Sequence, residues 1–137
     1  MSGLLFPDDL RYSKTHEWVR VEKGASGQSV ATVGITAFAI DALKDLVHVE
    51  LPAVGRHLQA GQEAGEIESV KAVSPIYCPV EGEVTAVNTE LENQLEHLAD
   101  DPYQEGWFFK VRMTDPAGLN DLLHAAEYQK HCESESH

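Results

Sequence analysis

A chain of 137 residues, 42% apolar and 24% charged, has ordinary globular composition and the length of one domain, enough to bury a core without disulfide or metal support. With 23 acidic residues against 10 basic ones its formal charge is −13, which excludes general nucleic-acid binding and docking on anionic lipid, since both need a basic face. No stretch approaches the roughly 18 apolar residues of a membrane span, and the acidic surplus favours solubility and partners with basic docking surfaces.

The opening Met1-Ser-Gly-Leu-Leu-Phe-Pro-Asp-Asp9 has neither the basic n-region of a secretory signal nor an Arg-rich presequence pattern. Trp18 to Glu22 then alternates, with Val19 and Val21 on one face of a half-buried strand and Trp18, Arg20 and Glu22 on the other. Lys23 to Gly27 is turn material, and Ser29 to Ile35 resumes the alternation at Ala31, Val33 and Ile35. Thr36 can N-cap a helix whose apolar stripe is Phe38, Ala39, Ala42, Leu43 and Leu46. Val47, Val49 and Leu51 return to period two, ended by Pro52. Further strands are expected at Ala64 to Val70, Ala72 to Cys78 and Gly82 to Val87, separated by Gly and Pro turns.

Leu91, Leu95 and Leu98 support a helix from Asn88 to Leu98. Trp107, Phe109, Val111 and Met113 share one face of a last strand, opposite Phe108, Lys110 and Arg112. Asp115 and Pro116 suit the N-cap and first turn of a C-terminal helix, with Leu119, Leu122, Leu123 and Ala126 at i, i+3, i+4 and i+7. Lys130 to His137 has no apolar period and is expected to fray. The class is therefore mostly β, a single domain over 1–137 with its core at about 10–128 and short peripheral helices, including a C-terminal one.

Two cysteines are too few for a disulfide framework and fit a reducing compartment, so a cytoplasmic location is expected. Cys78, inside Ile76 to Val80, reads as a buried hydrophobe, and Cys132, in a polar tail, as an exposed thiol. The seven histidines are scattered with no His-x3-His, so no metal site is expected. No nucleophile elbow, phosphate loop or dinucleotide fingerprint is present either, and the chain is poorly equipped as an enzyme.

The stretch that carries chemistry is Gly65-Glu-Ile-Glu-Ser-Val-Lys71-Ala-Val-Ser74. Two β-prone arms meet around Val70-Lys71-Ala72, placing a lysine at the tip of a tight hairpin beside a small residue that leaves its amine accessible. A covalent modification site needs those features: a rigid scaffold, a protruding tip and a nucleophilic amine on a flexible stem. An exposed lysine near a turn is nonetheless most often a solvated charge, and spacing and composition carry the reading no further.

Glu68-Ser-Val-Lys-Ala72 strongly resembles the lipoyl-attachment motif of the H-protein family of the glycine cleavage system. Tyr12-Ser-Lys-Thr-His-Glu-Trp-Val19 resembles that family's N-terminal signature. Val33-Gly-Ile-Thr36, Val49-Glu-Leu-Pro52, Pro79-x-x-Gly82-Glu-Val84-x-x-Val-Asn88, Asp101-Pro-Tyr103 and Glu105-Gly-Trp107 follow in the family's order. The similarity runs from about Leu10 to Tyr128, and several unlinked motifs in register are far more specific than one lysine. Biotinyl carriers typically flank the lysine with methionines. Lipoyl domains of dihydrolipoyl acyltransferases usually have Asp-Lys-Ala and about 80 residues, without a His-Glu-Trp arm. An H-protein-like lipoate carrier serving sulfur oxidation or lipoyl relay is a closer alternative, which sequence separates less cleanly.

The resemblance implies a barrel-sandwich hybrid with lipoate joined by an amide to Lys71. It implies a shuttle without turnover of its own, most simply a monomer, visiting three enzymes. The arm is aminomethylated by glycine decarboxylase (P-protein), relieved of its one-carbon unit by aminomethyltransferase (T-protein) and reoxidised by dihydrolipoyl dehydrogenase (L-protein). A carbon bonded to both sulfur and an amine is prone to hydrolysis, so a cleft that excludes water and offers a carboxylate and a hydroxyl to the cationic amine would protect it. Glu17 and Thr15 stand where the family supplies those groups, beside His16 and Trp18. Glu68 is implied to help the lipoyl-attaching enzyme recognise its target, and Gly82 to answer a backbone need, positive φ or close approach. Trp18 and Trp107 are read as core or cleft-wall aromatics. The chain departs from the pattern at Pro75, where the family often has Asp, at Glu92-Asn-Gln-Leu-Glu96, where a Pro is common, and at Gln104, where Gly is common.

Overall fold

The computed structural model describes residues 6–24 and 27–135. Ala25 and Ser26 of the expected turn, and the last two residues of the expected frayed tail, lie outside them. Strands β1 (Arg11–Tyr12), β2 (Glu17–Lys23) and β3 (Ser29–Ile35) are followed by helix α1 (Ala37–Leu43). Next come β4 (Leu46–Glu50), β5 (His57–Leu58), β6 (Glu63–Ser69), β7 (Val73–Tyr77) and β8 (Gly82–Val87). Helix α2 (Glu96–Asp100), β9 (Phe109–Met113) and helix α3 (Ala125–Glu135) complete the chain, with 3₁₀ turns at Thr89–Glu92 and Pro116–Asp121.

All strand pairings are antiparallel, in a six-stranded sheet of order β1-β2-β3-β9-β8-β5 and a three-stranded sheet of order β4-β6-β7. The inward faces supply the main core, with Val19, Val33, Leu58, Ile67, Ile76, Val84, Phe109 and Val111 all buried. Burying one such side chain contributes about 1.5–3 kcal/mol. Within the six-stranded sheet, β8 runs close against β9 at Gly82, where an added Cβ would overlap the Arg112 carbonyl oxygen. Of the two backbone needs considered for Gly82, close approach is the one that operates. No helix among the described residues is long and apolar enough to cross a membrane.

A second, smaller core lies between the N-terminal strands and α3, where Leu10, Tyr12 and Trp18 meet Ala125, Tyr128 and Cys132. The Tyr12 and Tyr128 rings stack at 4.8 Å with 10° between planes. Several expectations are corrected here. Residues 130–135 do not fray, because α3 runs to Glu135 and buries Cys132 on its inner face. The expected helix after Pro116 is broken: Leu122 is extended, and Leu123 pairs with Tyr12 through hydrogen bonds of 2.7 and 2.9 Å. That pairing claims the leucines for a strand-like contact, and α3 begins only after it.

The Asn88 to Leu98 helix is likewise split into the first 3₁₀ turn and α2. In β2, Glu17, Trp18 and Val19 are all buried while Val21 is 37% exposed, so the strand is covered on both faces at its start and open at its end. Phe108, assigned to the polar face of the last strand, is fully buried. Thr36 does cap α1, accepting from the Ala39 N–H, and Asp115 caps its turn by accepting from the Ala117 N–H.

Candidate functional site

Strands β6 and β7 form a hairpin in which Ile67 pairs with Ser74 and Glu68 with Val73. The Ser69 N–H donates to the Ala72 carbonyl at 2.8 Å, leaving Val70 and Lys71 as a two-residue loop. Two further bonds hold it: the Ala72 N–H donates to Ser69 Oγ at 3.2 Å, and the Val70 N–H donates to the Asp45 carbonyl at 3.1 Å. Asp45 and Lys44, between α1 and β4, both take positive φ to present that carbonyl. Lys71 is exposed, flanked by Val70 at 75% and Val73 at 55% exposure. Glu68 is half-buried beside it on β6, across from His48 on β4. The amine thus projects from a braced turn at the end of a sheet.

Glu17, the first residue of β2, is 1% exposed. A tight turn from Ser13 to Glu17 precedes it, closed by the Ser13 N–H donating to the Glu17 carbonyl at 2.9 Å, with His16 at φ 78°. That turn directs the Ser13 and Thr15 hydroxyls onto Glu17 Oε1, the former at 2.6 Å. Oε2 accepts the Tyr77 N–H at 3.2 Å from the far end of β7. Burial outweighs these donors and pushes the Glu17 carboxyl up to about 7. Beside it, burial also pushes the Cys78 thiol up to about 11, and that thiol donates to the Val80 carbonyl, a buried and unreactive arrangement.

A cleft of about 240 Å³ opens over this carboxyl, lined by Thr15, His16, Glu17, Phe38, Ile67, Ser74, Pro75 and Glu135, among others. Glu17 and Thr15 therefore share one cleft, whose wall is the stem of the hairpin that carries Lys71. Lys71 and Glu68 stand beyond its rim. From Ser74 to Lys71 is three residues, about 10 Å at the strand rise. Pro75 lies on edge strand β7, where a missing N–H is tolerated. Trp18 is fully buried, its Nε1 donating to the Pro102 carbonyl at 2.9 Å. A larger cavity of about 560 Å³ between α1 and α2 is lined by none of Thr15, Glu17, Glu68 and Lys71.

A C-terminal helix is expected from the sequence, but its contribution to the site, like that of Ser13, is what sequence reasoning missed. Ser13 shares Glu17 Oε1 with Thr15, and its hydroxyl in a polar run four residues before a glutamate was the available signal. From α3, Tyr128 Oη lies 2.7 Å from His16 Nδ1 and 2.6 Å from Thr36 Oγ1, tying the helix to the turn that carries Glu17. Tyr128 is raised far above the ordinary phenol range by burial, so it remains a neutral hydroxyl.

Comparison with known proteins converges on one family. Residues 10–135 match the family described as the glycine cleavage H-protein. A glycine cleavage system H protein of Rhodopirellula baltica is 52% identical over 127 residues, covering 92% of this chain and 94% of that protein. One of Alcanivorax borkumensis is 50% identical over 129 residues, covering 94% and 97%. A crystal structure of a glycine cleavage system H protein from Mycobacterium marinum superposes with a TM-score of 0.81 at 39% identity, covering 91% of this chain and 97% of that one. Matched along nearly its whole length in both sequence and fold, the chain belongs to the glycine cleavage H-protein family.

Proposed function

We propose that the chain is a shuttle that carries an aminomethyl group, on lipoate amide-linked to Lys71, from glycine decarboxylase (P-protein) to aminomethyltransferase (T-protein), and afterwards presents the dithiol to dihydrolipoyl dehydrogenase. When bound, lipoate supplies a redox-active dithiolane. The residues present fit it. Lys71 offers an exposed amine on a braced loop, and lysine plus lipoate is an arm of about ten bonds, on the order of 14 Å, against the roughly 10 Å of strand back to the cleft.

Within that reading, Glu17 and Thr15 receive the cationic amine at the far end of the arm. A carboxyl poised near 7 is partly protonated at neutral pH, and a cation brought beside it favours the ionised form, so receipt of the amine drives the proton off. Ser13 and Thr15 then hold the charge on Oε1 and the Tyr77 N–H holds Oε2. The walls from Phe38, Ile67 and Pro75 keep water from the loaded group. Glu68, half-buried three residues before the lysine, gives the lipoyl-attaching enzyme a fixed acidic landmark.

The observation that carries this reading is Lys71 on a rigid two-residue loop whose stem walls the Glu17 cleft. The lipoylated chain is expected to support glycine/bicarbonate exchange by glycine decarboxylase, and Lys71→Arg to abolish it with an unchanged circular dichroism spectrum. Full exchange by that variant refutes the assignment. Failure of the lipoylated wild-type chain to support exchange would point instead to a carrier for another lipoyl-dependent system.

A further inference from the structure

Three potential metal ligands meet at the mouth of the cleft, and neither the carrier reading nor the sequence pattern uses them together. His131 and Glu135 lie four residues apart on α3, a spacing that stacks both side chains on one helix face. The turn before β2 brings His16 to the same face, with the two imidazole rings 5.6 Å apart. Glu135 sits between them, Oε1 at 2.9 Å from His16 Nε2 and Oε2 at 2.6 Å from His131 Nε2. One donor atom from each of the three residues falls within 4.8 Å of the others. Bonds of about 2.0–2.1 Å to a tetrahedral zinc place its ligands roughly 3.3 Å apart, a contraction that small side-chain rotations supply.

We propose that His16, His131 and Glu135 form a binding site for a zinc-class divalent metal, with an open coordination position facing the cleft. Two imidazoles and a carboxylate suit zinc and its late first-row neighbours, whereas magnesium and calcium favour all-oxygen sets. The outer contacts of His16 suit it as well, whereas His131 Nε2 must give up a 3.0 Å contact with the Lys14 carbonyl. His16 must carry its proton on Nδ1 when Nε2 binds a metal, and Nδ1 faces Tyr128 Oη. Either hydroxyl of the Tyr128–Thr36 pair can donate, so the chain runs from His16 to Tyr128 to Thr36, the ligand-orienting partnership metal-bound histidines require. His16 and Glu135 also line the cleft with Glu17, which directs the unfilled position inward. Without metal, the same groups form an ordinary bridged ion-pair network, and that is the alternative to exclude.

The test uses the tag-free, unlipoylated full chain stripped with a chelator, so its outcome does not depend on the carrier reading. Titration with zinc by calorimetry and with cobalt by visible absorption is expected to give saturable one-to-one binding. His131→Phe and Glu135→Gln should each weaken it by about tenfold or more, since loss of even an outer-shell partner does as much. His57→Gln, whose imidazole instead pairs with Glu81, should leave it unchanged. Zinc-dependent shifts of the His16 and His131 ring resonances in the unmutated chain supply the same answer should a variant fail to fold. Absence of saturable binding, undiminished binding in either ligand variant, or no movement of those resonances overturns the proposal.

Discussion

Glu17 accepts from three donors, yet burial wins and its folded pKa stands near 7 rather than the ordinary 4.5. A raised carboxyl pKa means the folded chain holds its proton more tightly than the unfolded one. Its favourable contribution is therefore full below about 4.5 and is lost as pH climbs from there to about 7, by up to about 3 kcal/mol. Glu17→Gln removes that titration. Urea unfolding at pH 5 and pH 8 should show the wild-type chain losing stability relative to the variant across the interval, and parallel curves would deny Glu17 its burial cost. The proposed carrier role gives the same carboxyl a task in the cleft. With the arm loaded, Glu17→Ala should release the aminomethyl group to water faster at pH 8. The gap should narrow only at a pH well below 7, because the seated cation holds the Glu17 carboxyl ionised to lower pH than in the unloaded cleft. Equal decay rates at pH 8 would remove Glu17 from the cleft role.

At the level of elements, α3 acts as a buttress rather than a tail. Tyr128 stacks on Tyr12 and places its hydroxyl between His16 and Thr36, so one side chain fixes both the turn before β2 and the cap of α1. Tyr128→Phe keeps the stacking and strands two partly or wholly buried partners, which costs about 1–3 kcal/mol. Denaturant unfolding checks this, and a change of only a few tenths would mean water replaces the hydroxyl. The buttress was the least legible element in the sequence for a definite reason. Its inner face reads Ala125, Tyr128 and Cys132, weak apolar signals set among His, Glu and Lys, while the stronger Leu122-Leu123 pair drew the helix assignment upstream. The hairpin of β6 and β7 was legible because alternation and its turn agree, with Ile67 and Ile76 inward and Val73 outward. The cleft was legible only through the resemblance. Nothing in local pattern announces that Glu17 meets the stem of the Lys71 hairpin, because that proximity is made by the packing of two sheets.

For the whole molecule, the proposed carrier role assigns recognition jointly to the acidic surplus and to the hairpin tip. On the proposed lipoylation of Lys71, the formal charge of −13 would become one unit more negative, since an amide removes the lysine's cation. Such a charge acts over the Debye length, roughly 8 Å at physiological ionic strength and about 30 Å at 0.01 M, and so governs encounter with basic partner surfaces more than the docked contact. The tip itself is apolar: Val70 and Val73 flank the lysine, and Val47 on neighbouring β4 is half exposed. Burial of such residues against a partner is insensitive to moderate salt or slightly strengthened by it. Long-range capture and close contact therefore respond in opposite directions. In the exchange reaction, raising ionic strength from about 0.01 to 0.15 M should raise the apparent KM for the lipoylated chain by roughly tenfold while kcat stays nearly constant. A KM that holds or falls with salt would assign recognition to the apolar tip alone. Val70→Ser separates the two contributions, because it should raise KM by a similar factor at both salt concentrations if the tip contact adds to electrostatic capture independently.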